Sequence, residues 1–345
     1  MNITAKEIHD KALELGYAAC GIVKADVMRG YEDMINKRVE RFPATKQYHT
    51  YFANFAKPEE TEPWVKLIIV CVGRYGKYNI PKELQGRIGK YYLTDYRVIQ
   101  ESQDNKMAVL FDEFLTENEV RFKKNTWAGG SSAGKYAAVN AGVGIVRKNS
   151  LLYTEYGSWV WLETWLIDCD LEYICQVDLP PCPDDCIICV DTCGTGALVE
   201  PYQVNAFTCT SSLTWGGLPN TLPPEELRIK MKGWLYGCDD CQDCCPINSG
   251  CWTADEDFPG LNDLQQYLTL EQLCSLDDET IKTKLSPIFF YIGSDKIWKW
   301  KVNALRVMAY QFKPAYLPYI QKVLEDKDEL VREMAKWVMG QVDKA

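Results

Sequence analysis

The spacing of apolar and polar positions divides the 345-residue chain into three regions of different architecture. In the first region, residues 1–170, a Thr4-x-x-Glu7 capping box predicts the start of an amphipathic helix. Continuous apolar runs over residues 17–23 and 65–72 predict buried strands, and residues 107–115 predict a second amphipathic helix. This mixture of helices and strands indicates an α/β or α+β domain.

The second region, residues 171–261, is dominated by Cys, Pro and Gly, which is typical of a small domain that folds around metal. The third region, residues 262–345, returns to a helical pattern. Short amphipathic helices are predicted at 303–312, 318–324 and 330–342, the last one opened by Asp328. Such helical pairs resemble HEAT-type repeats. The predicted fold class is therefore α+β, with a helical third region.

Composition narrows the class of protein further. With 47% hydrophobic and 25% charged residues, the chain is typical of a globular protein. No apolar run approaches the roughly 20 residues of a membrane-spanning helix, so no membrane partner is expected. The N-terminus lacks an export signal, and the cytoplasm is the expected location. A formal net charge of -10 disfavours general binding to nucleic acid.

Fifteen cysteines are the main chemical signal of the sequence. Cytoplasmic compartments keep thiols reduced, so clustered cysteines indicate metal rather than disulfides. One run, PCPDDCIICVDTCG, covers residues 181–194, and a second, GCDDCQDCCP, covers residues 237–246. Between them lies Cys209. The spacings are close to those of ferredoxins with two [4Fe-4S] clusters.

In such ferredoxins the last cysteine of a run reaches across to the other cluster. This rule predicts two ligand sets: Cys182, Cys186, Cys189 and Cys245 for the first cluster, and Cys193, Cys209, Cys238 and Cys241 for the second. Cys244 is the spare thiol, because Cys245 is the cysteine that precedes Pro246.

A pair of structural zinc sites is the alternative, since zinc also uses Cys-x2-Cys pairs. Runs of three or four cysteines without a nearby histidine favour iron and sulfur instead. The other cysteines are expected to be buried as small apolar residues; they are Cys20, Cys71, Cys169, Cys175, Cys251 and Cys274.

The order of motifs resembles the epoxyqueuosine reductase family, which shares its core with the reductive dehalogenases. The matching segments span most of the chain: GRIGKYYLTDYRVIQ at 86–100, AVNAGVGIVRKNSLL at 138–152, GSWVWLETWL at 157–166, YGCDDCQDCCPIN at 236–248 and SPIFFYIGSDKIWKWKVNALRVMAY at 286–310. The resemblance implies a corrinoid-binding domain at residues 1–170 and a ferredoxin-like domain at 171–261. It also implies cobalamin as a cofactor that receives electrons from the clusters.

Several residues in the matching segments are candidates for contact with cobalamin. Glycines allow close backbone approach and polar side chains offer donors; the candidates are Gly142, Gly144, Lys148, Asn149, Ser150, Gly157, Ser158 and Trp159. A plain turn and a strand with a buried Trp are the alternatives for the two segments. Tyr91, Tyr92 and Tyr96 are expected to be core aromatic residues.

The only histidines, His9 and His49, lie far from these motifs, so the resemblance implies cobalt without a histidine ligand. Such base-off cobalt is easier to reduce. A low-potential ferredoxin or flavodoxin is the expected electron donor.

The chain also departs from the family pattern. No carboxylate occurs between residues 126 and 142, where the family carries a catalytic aspartate, and Arg97 stands where histidine is usual. Gly194 replaces a proline after the first cysteine run. Tyr136, Lys135 and Arg97 are therefore the candidate proton donors, and the substrate is epoxyqueuosine in tRNA or a small molecule.

Three hypotheses for function follow. The first is a corrinoid and iron-sulfur reductase, which requires a cofactor cavity in the N-terminal region beside Lys148 and Trp159. The second is a ferredoxin-like electron carrier, which needs no such cavity. The third is a binding protein in which the clusters are structural and the helical region recruits a partner.

Overall fold

The computed structural model of the chain describes residues 3–43, 46, 54–125, 133–171, 177–216 and 221–342. The strands of the first region are β1 (Ala19–Lys24), β2 (Leu67–Arg74), β3 (Tyr78–Asn79), β4 (Phe122–Lys124), β5 (Ile145–Val146), β6 (Leu152–Tyr153) and β7 (Val160–Ile167). Its α-helices are α1 (Ala5–Leu15), α2 (Gly30–Arg41), α3 (Pro58–Thr61), α4 (Lys90–Leu93), α5 (Gln103–Glu117) and α6 (Gly134–Asn140).

A four-stranded sheet in the order β1-β2-β7-β4 is the centre of the first region. All three pairings in it are antiparallel. The structure therefore supports the α+β alternative over a parallel sheet built from β-α-β units. The two predicted strands and the second predicted helix are confirmed as β1, β2 and α5, with shifted ends.

Strand β2 is buried on both faces, which explains its continuous apolar run. On one face, Ile69 and Cys71 join the core that includes residues of α1 and α5. On the other face, Ile68 and Val70 pack with residues of α6. The sheet is thus the middle layer between two sets of helices.

Both predicted helix caps are present. Thr4 Oγ1 accepts a hydrogen bond from the Glu7 amide, and the Glu7 carboxylate accepts one from the Thr4 amide. At the other end of the chain, Asp328 Oδ1 accepts from the Leu330 amide at 2.9 Å. These caps satisfy amide groups that the first turn of a helix leaves without partners.

The cysteine-rich region consists mostly of loops with short elements. These are α7 (Ile188–Thr192), β8 (Leu198–Glu200), β9 (Gln203–Val204), α8 (Thr210–Trp215), α9 (Glu225–Arg228), α10 (Asp240–Asp243) and β10 (Glu256–Asp257). Its own apolar core is small, with Leu213, Leu227 and Met231 in one cluster. Such a region depends on other bonds for its stability, as expected of a metal-binding fold.

The last region is helical, with α11 (Leu261–Leu264), α12 (Leu270–Ser275), α13 (Asp278–Thr280), α14 (Trp298–Tyr310), α15 (Leu317–Lys322) and α16 (Glu329–Val342). The three predicted C-terminal helices are confirmed as α14, α15 and α16. None of the helices in the described ranges is long and apolar enough to cross a membrane.

Helix α14 connects the helical region to the cysteine-rich region through hydrogen bonds. Asn303 donates to the carbonyls of Thr214 and Leu235. Arg306 is fully buried and donates to three carbonyls within residues 228–234. Through these bonds α14 holds the loop that leads into the second cysteine run.

Candidate iron-sulfur and cofactor site

Four of the predicted ligands surround one small cavity of about 100 Å³. They are Cys182, Cys186, Cys189 and Cys245, the first predicted set. We call this space the first cavity. Pro246 begins a short 3-10 helix directly after Cys245, so the proline ends the cysteine run with a fixed backbone angle.

Lys148 holds the loop that carries two of these cysteines. Its buried ammonium donates to the carbonyls of Pro183, Asp184 and Cys186 at 2.6, 2.8 and 3.0 Å. These three bonds use all three donors of the ammonium group. Lys148 therefore lines the first cavity and positions its loop, rather than facing the larger cavity described next.

The other four predicted ligands line a larger cavity of about 430 Å³, the second cavity. They are Cys193, Cys209, Cys238 and Cys241. The opposite wall comes from the N-terminal region and includes Lys135, Asn149, Ser150 and Ser158. The structure thus separates the eight cysteines into the same two sets as the spacing rule, and only the second set adjoins a cavity of this size.

Ser150 is unusual among the residues that line the second cavity. Its backbone has a positive φ of 64°, which is uncommon for a residue other than glycine. Its buried hydroxyl has no hydrogen-bond partner among the residues that the structure describes. Strained residues with unused polar atoms occur preferentially at binding sites. The second cavity therefore has the character of a site for a polar ligand.

Lys135 is the one candidate proton donor that lines the second cavity. Its ammonium donates to the Ser150 carbonyl at 2.8 Å. The side chain is exposed toward the open cavity, and desolvation by the surrounding protein lowers its pKa to about 8. Arg38 contributes a smaller lowering by repulsion of like charge.

The other two candidate donors lie elsewhere. The hydroxyl of Tyr136 lies beside Gly30, and its ring contacts Tyr31. Arg97 forms a two-bond ion pair with Asp95, with contacts of 2.8 and 2.6 Å. Neither side chain lines the second cavity in the described part of the chain. Residues 126–132, where the family aspartate is missing, lie outside the described ranges.

The predicted cofactor residues are also divided. Asn149, Ser150 and Ser158 line the second cavity, whereas five others do not: Gly142, Gly144, Lys148, Gly157 and Trp159. A Cβ on Gly144 would meet the Tyr153 carbonyl at 2.6 Å, so this glycine is required by packing. The Trp159 ring is buried, with the Lys90 ammonium 4.4 Å from its centre.

Of the three tyrosines that were expected in the core, Tyr91 and Tyr92 line the second cavity, while Tyr96 stacks on Trp161 in the core.

Asn149 and Tyr153 connect the two cysteine sets. Asn149 Nδ2 donates to the Tyr153 hydroxyl at 2.8 Å and to the Cys241 carbonyl at 2.9 Å. Tyr153 is buried beside Cys245, and burial together with that thiol raises the tyrosine pKa. The N-terminal region thus contributes a polar link between the two cavities.

Asp239 is a site residue that the sequence did not reveal. It lies between Cys238 and Cys241, lines the second cavity, and accepts a hydrogen bond from the Lys90 amide at 2.8 Å. Burial raises the pKa of its carboxyl to about 6, against the opposing effect of Lys90. This contact could not be predicted from the sequence, because Lys90 is 149 positions away from Asp239.

The chemistry of the donor set fits iron-sulfur clusters. Burial raises the pKa of Cys189 to about 11, and burial also raises the pKa values of Cys209, Cys238 and Cys241. Buried thiols of this kind are costly to ionise unless a metal centre binds the thiolates. Among the described residues, no three metal-binding side chains converge on a single ion; a cube instead distributes four thiolates over its four irons.

Four of the five described cysteines that were expected to be buried are buried, and the exception is Cys251. Cys20, Cys71, Cys169 and Cys274 are buried, and Cys251 is half-buried. Cys175 lies outside the described residues. Cys244 lines neither cavity, in contrast to its neighbour Cys245.

Comparisons with known proteins define the class first. A family model for a 4Fe-4S double cluster binding domain matches residues 182–248. The chain is therefore an iron-sulfur protein with two [4Fe-4S] clusters, and the zinc alternative is set aside.

Relatives and solved structures then define the family. Epoxyqueuosine reductase from Gloeobacter violaceus is 30% identical over 80% of this chain and 87% of its own length. The enzyme from Staphylococcus aureus is 27% identical over 98% of this chain and 88% of its own. The structure of epoxyqueuosine reductase from Streptococcus thermophilus matches with a TM-score of 0.80 and 25% identity, covering 100% of this chain and 91% of that one. This chain belongs to the epoxyqueuosine reductase family and is an oxidoreductase.

Proposed function

We propose that this protein is a cobalamin-dependent reductase that acts on epoxyqueuosine in tRNA. Its relatives carry that name, and a related enzyme of 23% identity has been solved with an epoxyqueuosine-modified tRNA-Tyr stem loop. In this proposal residues 1–170 form the corrinoid-binding domain, 171–261 the ferredoxin-like domain and 262–345 a HEAT-like region. A low-potential ferredoxin or flavodoxin supplies the electrons.

The observation that supports the proposal most strongly is the composition of the second cavity. One wall carries four of the predicted cluster ligands, and the other carries Lys135 and the unpaired Ser150 hydroxyl. Cobalamin bound there would supply a cobalt centre that accepts single electrons and reacts with the substrate. A pure electron carrier needs room for the cluster beside these cysteines, but no further space lined by residues of the N-terminal region.

Reduction of an epoxide to an alkene releases its oxygen as water and consumes two electrons and two protons. In the proposed enzyme the clusters, held by the two cysteine sets, deliver the electrons. Lys135 supplies a proton from the cavity wall, where the Ser150 carbonyl keeps its ammonium in place at 2.8 Å. Asn149 holds its segment between the two cysteine sets, because it donates to the Tyr153 hydroxyl and to the Cys241 carbonyl.

A single-turnover experiment tests this proposal. The protein is purified without oxygen, loaded with cobalamin, reduced chemically and mixed with a tRNA-Tyr stem loop that carries epoxyqueuosine. Mass spectrometry should show a loss of one oxygen atom from the RNA. A fully loaded and reduced protein that leaves the RNA unchanged would contradict the proposed substrate.

Lys135→Met should lower kcat by about 100-fold, which is typical for loss of a general acid. Because the pKa of Lys135 is lowered to about 8, the wild-type ammonium is protonated at neutral pH and loses its proton as the pH rises through about 8. Wild-type activity should therefore fall above about pH 8, and the variant should lack this alkaline decrease.

Lys106→Met is the control, because Lys106 is exposed on α5 and lines neither cavity. It should leave both kcat and the pH profile unchanged. An unchanged alkaline decrease in the Lys135 variant would assign the titrating group to another residue.

A further inference from the structure

An exposed apolar surface lies directly over the first cavity. Four of the eleven large apolar side chains that are exposed in the described chain fall within residues 187–202. They are Ile187, Ile188, Val199 and Tyr202, with exposed fractions of 41–45%. We call them, with the carboxylates named below, the distal face. Apolar groups gathered in this way on a protein surface mark interaction sites.

The chain connection, the packing of α7 on β8 and one hydrogen bond place the distal face next to the cluster ligands. Ile187 and Ile188 are the two residues between Cys186 and Cys189, both of which line the first cavity. Helix α7, which begins at Ile188, packs against β8, which contains Val199. The Tyr202 amide donates to the Lys148 carbonyl at 2.7 Å. A partner that covers this face would therefore lie next to the first cluster.

The rim of the distal face is acidic. Asp184, Asp185 and Asp191 are exposed on the same loop and helix. Among the basic residues near this surface, Arg41 is paired with Glu200, and two lysines are engaged internally. Lys148 is bound to three carbonyls, and Lys232 is paired with Asp240 at 2.7 Å. An apolar centre with a charged rim is the usual composition of a protein interface, and the rim sets the charge of the partner.

We propose that the distal face is where the electron donor docks, and that the donor is a one-electron redox protein of the ferredoxin or flavodoxin type with basic residues around its redox centre. This inference rests on the proposed function, because it takes the first cluster as the point of electron entry. The second cavity lies on the substrate side, so electrons would pass from the distal face to the first cluster and then to the second. Each transfer moves one electron and no proton.

Stopped-flow kinetics with a basic probe test this proposal. The protein is reduced without oxygen, freed of excess reductant and mixed with ferric cytochrome c, a small basic redox protein. Each ferric haem takes one electron from a reduced cluster, which returns to its oxidised state. The second-order rate constant should fall at least about ten-fold between about 0.02 M and about 0.5 M ionic strength, because salt screens attraction between opposite charges.

A charge-reversal variant locates the docking surface. Asp185→Lys with Asp191→Lys should lower the rate constant for cytochrome c at least about ten-fold at low salt. The matched control is Glu113→Lys with Glu117→Lys, which makes the same change of net charge on exposed positions of α5, a helix that lines neither cavity. The control should change the rate constant less than about two-fold.

An equal loss in both variants would show that only net charge matters and would overturn the proposal. A wild-type dimer that dissociates on Ile187→Ser with Ile188→Ser would also overturn it, since the distal face would then belong to a second copy. If the lysine variant loses iron, Asp185→Asn with Asp191→Asn repeats the test with a smaller change, and a loss of at least about three-fold is then expected.

Turnover with a small chemical reductant separates this inference from the proposed function. Such a reductant needs no docking surface, so the charge-reversal variant should turn over substrate as fast as the wild type. Loss of turnover under these conditions would mean that the substitution damages the enzyme and would count against the docking role. Wild-type protein that fails to turn over would instead refute the proposed function alone.

Discussion

Cys245→Ala should remove one of the two [4Fe-4S] clusters, whereas Cys244→Ala should remove neither. Cys245 lines the first cavity with Cys182, Cys186 and Cys189, and Cys244 lines neither cavity. The Cys245 variant should therefore contain about four irons per chain instead of about eight, and its turnover should be lost because the electron path is broken.

Iron analysis and low-temperature EPR of the reduced protein measure this result. The two substitutions affect adjacent residues of the same type, so each serves as the control of the other. Cys251→Ala is a further control, since Cys251 is half-buried and lines neither cavity. The opposite outcome, loss of a cluster in the Cys244 variant only, would reassign the fourth ligand of the first cluster.

Lys148→Met should destabilise the first cluster while it leaves the second in place. The substitution keeps most of the side-chain volume but removes three charge-assisted bonds to the carbonyls of residues 183–186. A buried carbonyl left without its hydrogen-bond donor costs about 1–3 kcal/mol. The loop that carries Cys182 and Cys186 should open more often, and an iron chelator should remove the first cluster much faster than in the wild type.

Lys230→Met is the matched control, because Lys230 is exposed and lines neither cavity. Its rate of iron loss should equal that of the wild type. Unchanged chelation kinetics in the Lys148 variant would show that the three carbonyl bonds do not hold the loop. A loss of both clusters would indicate a wider role in folding.

Local patterns predicted most of the fold. The apolar run of β2, the capping box at Thr4 and the period of α16 each depend on neighbouring residues, and each is present in the structure. The ends of the elements were less predictable. Helix α14 begins at Trp298, five positions before the predicted start, because the alternation of Trp and Lys in its first turn does not show the helical period.

The site was predictable only in part, for the same reason. The spacings within each run, together with the crossing rule of two-cluster ferredoxins, predicted which cysteines share a cavity. The role of Lys148 depends on carbonyls 35 to 38 positions away, and the burial of Asp239 depends on Lys90, 149 positions away. Contacts of this range leave no periodic signal in one sequence, so Lys148 was predicted as a cofactor contact although it lines the first cavity.

The most direct test of this account is metal analysis of protein purified without oxygen in the presence of cobalamin, together with absorption spectra before and after reduction. The account predicts about eight irons and about one cobalt per chain, with spectral changes of both the clusters and the corrinoid on reduction. Eight irons without cobalt would contradict it, because the second cavity would then lack the cofactor that the proposed reduction requires.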